Sequence, residues 1–194
     1  MSNMILFVDA CVRAHSRTKR LAEALLAKLN EEAVHVALEE ISFAVTDEDY
    51  LKKRDELISI GEFDNDMFAL ARQFAAADTI VIAAPFWDLS FPAKLKQYIE
   101  AINVTGVTFE YTPEGIPKGL CNANELYYVM TAGGDYVPWE FGFGYIKALA
   151  QNFYGIKNVE IIKAIGLDIV GADVPTIMDE AISNISHIRE CICR

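Results

Sequence analysis

Three short stretches hold the residue types from which a small-molecule site can be built. Residues 9–20 read DACVRAHSRTKR, residues 83–97 read AAPFWDLSFPAKLKQ and residues 131–135 read TAGGD. In the first, Ser16 and Thr18 offer hydroxyls and Arg13 and Arg17 offer charge, just where a helix is expected to begin. Unpaired first-turn N–H groups, the helix dipole and hydroxyls together make a site for a small anion. In the second, Phe86, Trp87 and Phe91 stand in a loop. Aromatics there either plug the loop from below or wall a flat heteroaromatic ring whose edge backbone groups can read. In the third, Gly133 and Gly134 either turn the chain sharply or let its backbone approach a ligand closely. For Ser16 the plainer alternative is a helix cap.

The elements that must position these stretches are legible from periodicity. Met4–Val8, Thr79–Ala84, Glu125–Thr131 and Val159–Ile165 are apolar runs of strand length, and Val34–Leu38 alternates enough to be a strand. Leu21, Leu25 and Leu29 recur at one helical turn, and Leu95, Tyr98, Ile99 and Ile102 mark another apolar stripe. Residues 44–77 read as two helices, capped by Thr46 and by Asp64 or Asn65, and residues 138–154 as one more. A last helix begins near Asp173 with Pro175 in its first turn, and Ile177, Ala181, Ile185, Ile188 and Ile192 form its stripe. Val107, Phe109 and Tyr111 share one face of an extended segment that Pro113, Gly115 and Pro117 then turn. Strands alternating with helices predict an α/β three-layer sandwich: a five-stranded parallel sheet, order 2-1-3-4-5, with helices on both faces. Such a sheet binds ligands beyond the carboxyl ends of its strands, where the order reverses. The loops 9–18, 85–92 and 131–138 all fall at that end.

Bulk properties narrow the partners. The chain has 194 residues, 53% apolar and 23% charged, with a formal net charge of −11. That fits one domain spanning 1–194. The acidic balance argues against nucleic acid and anionic membrane surfaces. The basic cluster Arg13, Arg17, Lys19 and Arg20 suits one small anion better than a duplex. No apolar run reaches the ~18 residues of a membrane span. The start MSNMILFVDA reads as a buried strand without a charged leader, and a cytoplasmic protein with reduced thiols is expected. Cys191 and Cys193, with His187 nearby, read as residues of a terminal helix rather than a metal site. Neither G-x-G-x-x-G nor G-x-x-x-x-G-K-[ST] occurs, so a single terminal phosphate fits the first loop better than a dinucleotide.

The order of these pieces resembles the flavodoxin-fold FMN reductases, in particular the FMN-dependent NADH-azoreductase and NAD(P)H:quinone oxidoreductase group. The resemblance covers nearly the whole chain. It is most specific over residues 78–119, where an A-P-x-[WY]-x-x-x-x-P/S-x-x-L-K run is followed by G-V-T-F-x-Y-T-x-x-G. It implies a flavodoxin-like fold, FMN as cofactor, NADH or NADPH as co-substrate, and a homodimer with active sites at the subunit interface. It also implies ping-pong hydride transfer to a quinone, azo or nitroaromatic acceptor, with the flavin N5 carrying the chemistry and no catalytic side chain or metal. By motif, Ser16, Arg17 and Thr18 hold the phosphate. Pro85, Phe86, Trp87, Asp88 and Leu89 run along the ring edge, and Thr131, Ala132, Gly133 and Gly134 close the other side. Phe109 and Tyr111 stand at the cavity mouth for the second substrate. Trp139, Phe141, Phe143 and Tyr145 are candidates for the dimer surface. Three positions depart from the pattern: Ala10 replaces a serine, Asp88 an asparagine and Ala132 an arginine. Asp88 therefore either sets a carboxylate beside the ring or caps the helix that follows. Cys11, beside the phosphate loop, either has a lowered pKa or packs beneath the loop. A flavodoxin-type electron carrier and a non-catalytic FMN-binding protein are the alternatives.

Overall fold

The structure is a computed structural model that describes residues 3–185. In chain order its first elements are β1 (Ile5–Asp9), α1 (Arg17–Leu29), β2 (Ala33–Ala37), α2 (Glu48–Ser59), α3 (Ala69–Ala76) and β3 (Thr79–Ala83). There follow α4 (Ala93–Ile102), β4 (Phe109–Tyr111), β5 (Pro117–Gly119), β6 (Glu125–Thr131), α5 (Phe143–Leu149), β7 (Asn158–Ala164) and α6 (Val174–Asn184).

All five residues of β1 and of β3 are buried, which is why both read as unbroken apolar runs. Alternate side chains go to opposite faces. Leu6, Val8, Ile80, Ile82 and Tyr128 pack with Phe74 of α3 and Leu95 and Ile99 of α4. Ile5, Phe7, Val81, Tyr127 and Val129 pack with Leu21 and Leu25 of α1 and Met178 of α6. The sheet is parallel throughout, in the order β2-β1-β3-β6-β7. Counted within the sheet alone, that is the expected 2-1-3-4-5. The chain leaves β1 outward to β2 and returns to β3 on the other side, so the carboxyl ends of β1 and β3 flank the reversal. The register places Asp9 beside Ala83, and Ala83 beside Val129.

Three expectations shift locally, while the caps expected at Asn65 and Asp173 form. Thr46 does not cap α2. Asp47 does, accepting from the Tyr50 amide at 2.9 Å, because its extended backbone sets the shorter reach onto the first turn. Asn65 caps a single 3₁₀ turn at 66–68 by accepting from Met67, and Asp173 caps α6 with Pro175 in the first turn. The helix expected over 138–154 begins only at Phe143, since Gly142 has φ +58 and breaks the helical run. It then widens into one π-helical turn at 150–154. The extended segment shrinks to β4, with Val107 left in the preceding turn. His187, Ile188, Cys191, Ile192 and Cys193 lie outside the described residues.

The β4–β5 hairpin sits off the main sheet and docks its second strand on that π turn. A Cβ added at Gly119 would lie 2.1 Å from the Tyr154 carbonyl carbon, so the backbones touch directly. Gly119→Ala must push the hairpin away. A loss of roughly 1–3 kcal/mol in urea unfolding is expected, as for other overpacked sites.

Candidate functional site

The three loops meet at the carboxyl ends of β1, β3 and β6 around a cleft of about 310 Å³. Ser16, Arg17 and Thr18 line one side of it, Pro85, Phe86 and Trp87 a second, and Thr131, Ala132 and Gly133 a third. A larger cavity of about 960 Å³ lies away from these loops, between α2 and the α3–α4 face. The smaller cleft alone gathers the polar groups of the sequence motifs.

The α1 side of the cleft forms as its residue types require. Ser16 Oγ accepts from the Lys19 amide at 3.2 Å, so the serine does cap α1. The amides of Arg17 and Thr18 precede any intrahelical acceptor and point out of the first turn. Thr18 and Thr131, both buried, join hydroxyls at 2.6 Å across the cleft floor. Beneath the loop lies Asp9, only 3% exposed. Its carboxylate accepts from the Cys11 amide at 2.9 Å and from Lys19 Nζ at 2.9 Å, and meets His35 Nε2 at 3.2 Å. Burial pushes the Asp9 pKa up, but the Lys19 ammonium and the Cys11 amide outweigh it and hold the pKa below the usual carboxylate value. Its ion pair therefore stabilises at neutral pH and is lost as pH falls through that depressed pKa. Cys11 is not activated: burial pushes its thiol up to about 12. It packs beneath the loop with Sγ 3.8 Å from the Ala83 carbonyl.

The aromatic loop is a tight hairpin. The Trp87 amide donates to the Ser90 carbonyl at 3.1 Å and the Ser90 amide donates back at 2.7 Å. Asp88 and Leu89 between them have φ +51 and +61, the two left-handed residues of a type I′ turn. The Phe86 amide is also engaged, donating to the Thr131 carbonyl at 3.0 Å. The Asp88 and Leu89 amides have no acceptor among the described residues. Asp88 does not cap α4: Pro92 holds the cap position, with no side-chain cap bond. Phe91 packs into the core and against the Tyr145 ring at 5.9 Å.

Several expected residues stand elsewhere. Ala10 is buried below the cleft, its amide bound to the Ala83 carbonyl. Asp88, Leu89 and Gly134 are exposed beyond the lining. Phe109 is buried against the Phe153 ring at 5.1 Å, and Tyr111 packs edge-on against Phe109; neither lines the cleft. Of the proposed dimer aromatics, Trp139, Phe141 and Tyr145 are exposed, whereas Phe143 packs against the core.

A fourth loop, after β7, joins the cleft although no sequence motif marks it. Arg17 donates to the Leu167 carbonyl at 3.1 Å and pairs with Asp168 at 2.7 Å. The Asp168 amide donates to the Gly133 carbonyl at 2.9 Å, and a Cβ at Gly133 would lie 2.3 Å from Asp168 Oδ2. The signal available was positional: Leu167 and Asp168 follow the fifth strand at the same sheet end as the other loops.

Residues 3–188 match the family model described as flavodoxin-like fold. An FMN-dependent NADH:quinone oxidoreductase 2 of Clostridium acetobutylicum is 35% identical over 190 residues, 92% of this chain and 94% of that protein. The chain belongs to the flavodoxin-like fold family, in the branch whose members carry the name FMN-dependent NADH:quinone oxidoreductase. A relative of that name from Clostridium perfringens is 43% identical over 121 residues, 61% of this chain, and the match spans only 60% of that protein's length. Among solved structures, the azoreductase from Bacillus anthracis strain Sterne superposes with a TM-score of 0.83 at 24% identity, covering 96% of this chain and 98% of that one. An FMN-dependent NADH-azoreductase from Bacillus anthracis strain Ames Ancestor, in complex with FMN, gives 0.74 at 23% identity, covering 96% and 99%. These two bear on the fold.

The turn supplies a test on its own. A leucine in the left-handed region costs roughly 1 kcal/mol. Leu89→Gly is expected to raise the urea midpoint of unfolding by a corresponding amount while leaving the Trp87 fluorescence environment in place.

Proposed function

We propose that this protein is an FMN-dependent oxidoreductase that takes hydride from NADH and passes it to a quinone or a related azo or nitroaromatic acceptor. The carrying observation is the convergence of one anion site, one flat aromatic wall and one glycine loop on a single cleft at the topological switch point. The relatives' names and the family's fold support the same reading.

The residues present fit FMN. Ser16 Oγ and the amides of Arg17 and Thr18 suit a terminal phosphate, with the positive end of α1 behind them. Pro85, Phe86 and Trp87 suit one edge and wall of the ring system. The amides of Asp88 and Leu89, on the rim beyond the lining, suit a polar edge that extends past it, and Thr131, Ala132 and Gly133, with Gly134 at the rim, suit the opposite side. Ala10 contributes backbone only, from below. No dinucleotide glycine pattern is present to take an adenylate, so FMN is preferred to FAD. Bound there, FMN supplies the hydride acceptance and donation, as flavins do. The chain's own part is to hold the ring, keep one face open to each substrate in turn and screen the reacting face from water. No side-chain nucleophile or metal is needed for this chemistry.

One chain leaves the wall incomplete. Trp87 is 39% exposed, and Tyr136, Trp139 and Phe141 stand out of the surface at 76%, 64% and 49%. Exposed aromatics in such number mark an interaction surface. A homodimer that covers them would also be the way to bring Tyr111, with Phe109 behind it, to the acceptor side of a neighbouring cleft. Among the described residues no helix is long and apolar enough to cross a membrane.

The test is anaerobic. The purified protein, supplied with FMN, should bleach at the flavin absorbance on adding NADH and recover colour on adding a soluble quinone. Under turnover it should give parallel-line ping-pong kinetics. FMN binding without NADH oxidation would leave a non-catalytic flavin protein; one-electron exchange with protein partners alone would leave a carrier.

The phosphate loop gives a second expectation. Replacing Ser16 and Thr18 together by Ala removes a donor beside the anion and the hydroxyl bridge to Thr131. FMN affinity should fall by about 1.5–3 kcal/mol, read by fluorescence titration. The fold should survive, because a lost cap costs only about 1 kcal/mol. Unchanged affinity would place the phosphate elsewhere.

A further inference from the structure

Arg17 is the basic residue that the phosphate motif contains, yet its guanidinium is already engaged by the loop after β7, whose Leu167 and Asp168 line the same cleft. One nitrogen donates to the Leu167 carbonyl and another pairs with Asp168. Asp168 is in turn fixed by its own amide on the Gly133 carbonyl and by its carboxylate lying over Gly133 where a Cβ would be. Neighbouring bonds continue the same seam: the Gly166 amide donates to the Gly134 carbonyl at 2.9 Å and the Leu167 amide to the Ala132 carbonyl at 3.2 Å. The Arg17–Asp168 pair is largely exposed, so its contribution to stability is small. Its effect is positional, joining the phosphate loop to the glycine loop through the loop after β7. Lys19 is also committed, to the buried Asp9. Of the arginines lining the cleft, Arg13 alone has no carboxylate partner among the described residues.

We propose that Arg13 is the side-chain cation that pairs with the ligand's terminal phosphate, and that Arg17 is a positioning residue that buckles the cleft through Asp168. The proposal rests on the reading of the cleft as an FMN site. A terminal phosphate at the start of α1 carries close to two negative charges, more than helix amides and a serine hydroxyl neutralise. A guanidinium on the same loop can approach it bidentately. Arg17 already has its charge paired with Asp168 and two of its five N–H donors committed, and drawing it wholly onto the phosphate would uncover Asp168 beside an anion.

Riboflavin, which has the ring and the ribityl chain without the phosphate, separates the two roles. Dissociation constants for FMN and for riboflavin are measured by flavin fluorescence titration on the wild-type chain and on Arg13→Ala, Arg13→Lys and Arg17→Ala, with circular dichroism to check each fold. Arg13→Ala should weaken FMN at least about tenfold and leave riboflavin within about twofold, so that the preference for FMN over riboflavin shrinks. Arg13→Lys should recover part of that preference. Arg17→Ala should weaken both flavins by a similar factor and keep the preference. An unchanged preference in Arg13→Ala, or a lost one in Arg17→Ala, overturns the assignment while the FMN reading stands. A wild-type chain that binds neither flavin, or both alike, overturns the FMN reading and the assignment with it.

Discussion

Burial of β1 and β3 on both faces is the constraint from which the rest follows. A strand with no solvent face needs a layer of helices on each side, and helices on each side impose crossover connections between parallel strands. Parallel strands put every strand-to-helix loop at the same end of the sheet. The anion loop, the aromatic hairpin, the glycine loop and the loop after β7 are therefore neighbours in space although 150 residues separate Arg17 from Leu167. The cleft follows from the topology, and its residue types are set loop by loop at the strand ends.

That origin explains what the sequence made legible. The five sheet strands, their order and the stripes of α1 and α4 rest on runs of apolar residues whose period survives folding unchanged. The three motif loops were visible because Ser16, Phe86–Trp87 and Gly133–Gly134 are unusual types at strand ends. Details set by competition between near-equal groups were not visible. Asp47 took the cap of α2 from Thr46 by one residue of reach. Gly142 cut the expected 138–154 helix because its backbone is left-handed, which composition alone does not reveal. The turn at Asp88–Leu89 carried no glycine to announce it; only the hydrogen-bonded pair Trp87–Ser90 does. Phe109, which fits a cavity mouth as well as a packing face by pattern, went into the core because Phe153 offered it a ring.

The electrostatics of the site were the least legible part. A sequence shows four basic residues in a row of eight and invites the conclusion that all serve the anion. In the structure Lys19 is held by a buried carboxylate and Arg17 by a partner on a loop that no local motif links to it. The buried Asp9 ties the loop backbone through Cys11, helix α1 through Lys19 and edge strand β2 through His35, which is itself stacked on Phe7 at 4.8 Å. A chain with net charge −11 thus spends part of its scarce positive charge on holding the cradle in shape.

The hydroxyl pair at the cleft floor has a different kind of consequence. Thr18 and Thr131 own two hydroxyl hydrogens between them, and their contact uses one. The other remains to be given, and it belongs to whichever threonine accepts in the shared bond. Rotation of the two O–H bonds exchanges those roles without moving a heavy atom. The floor of the cleft can therefore present its spare donor in either of two settings, one on the helix side and one on the glycine-loop side.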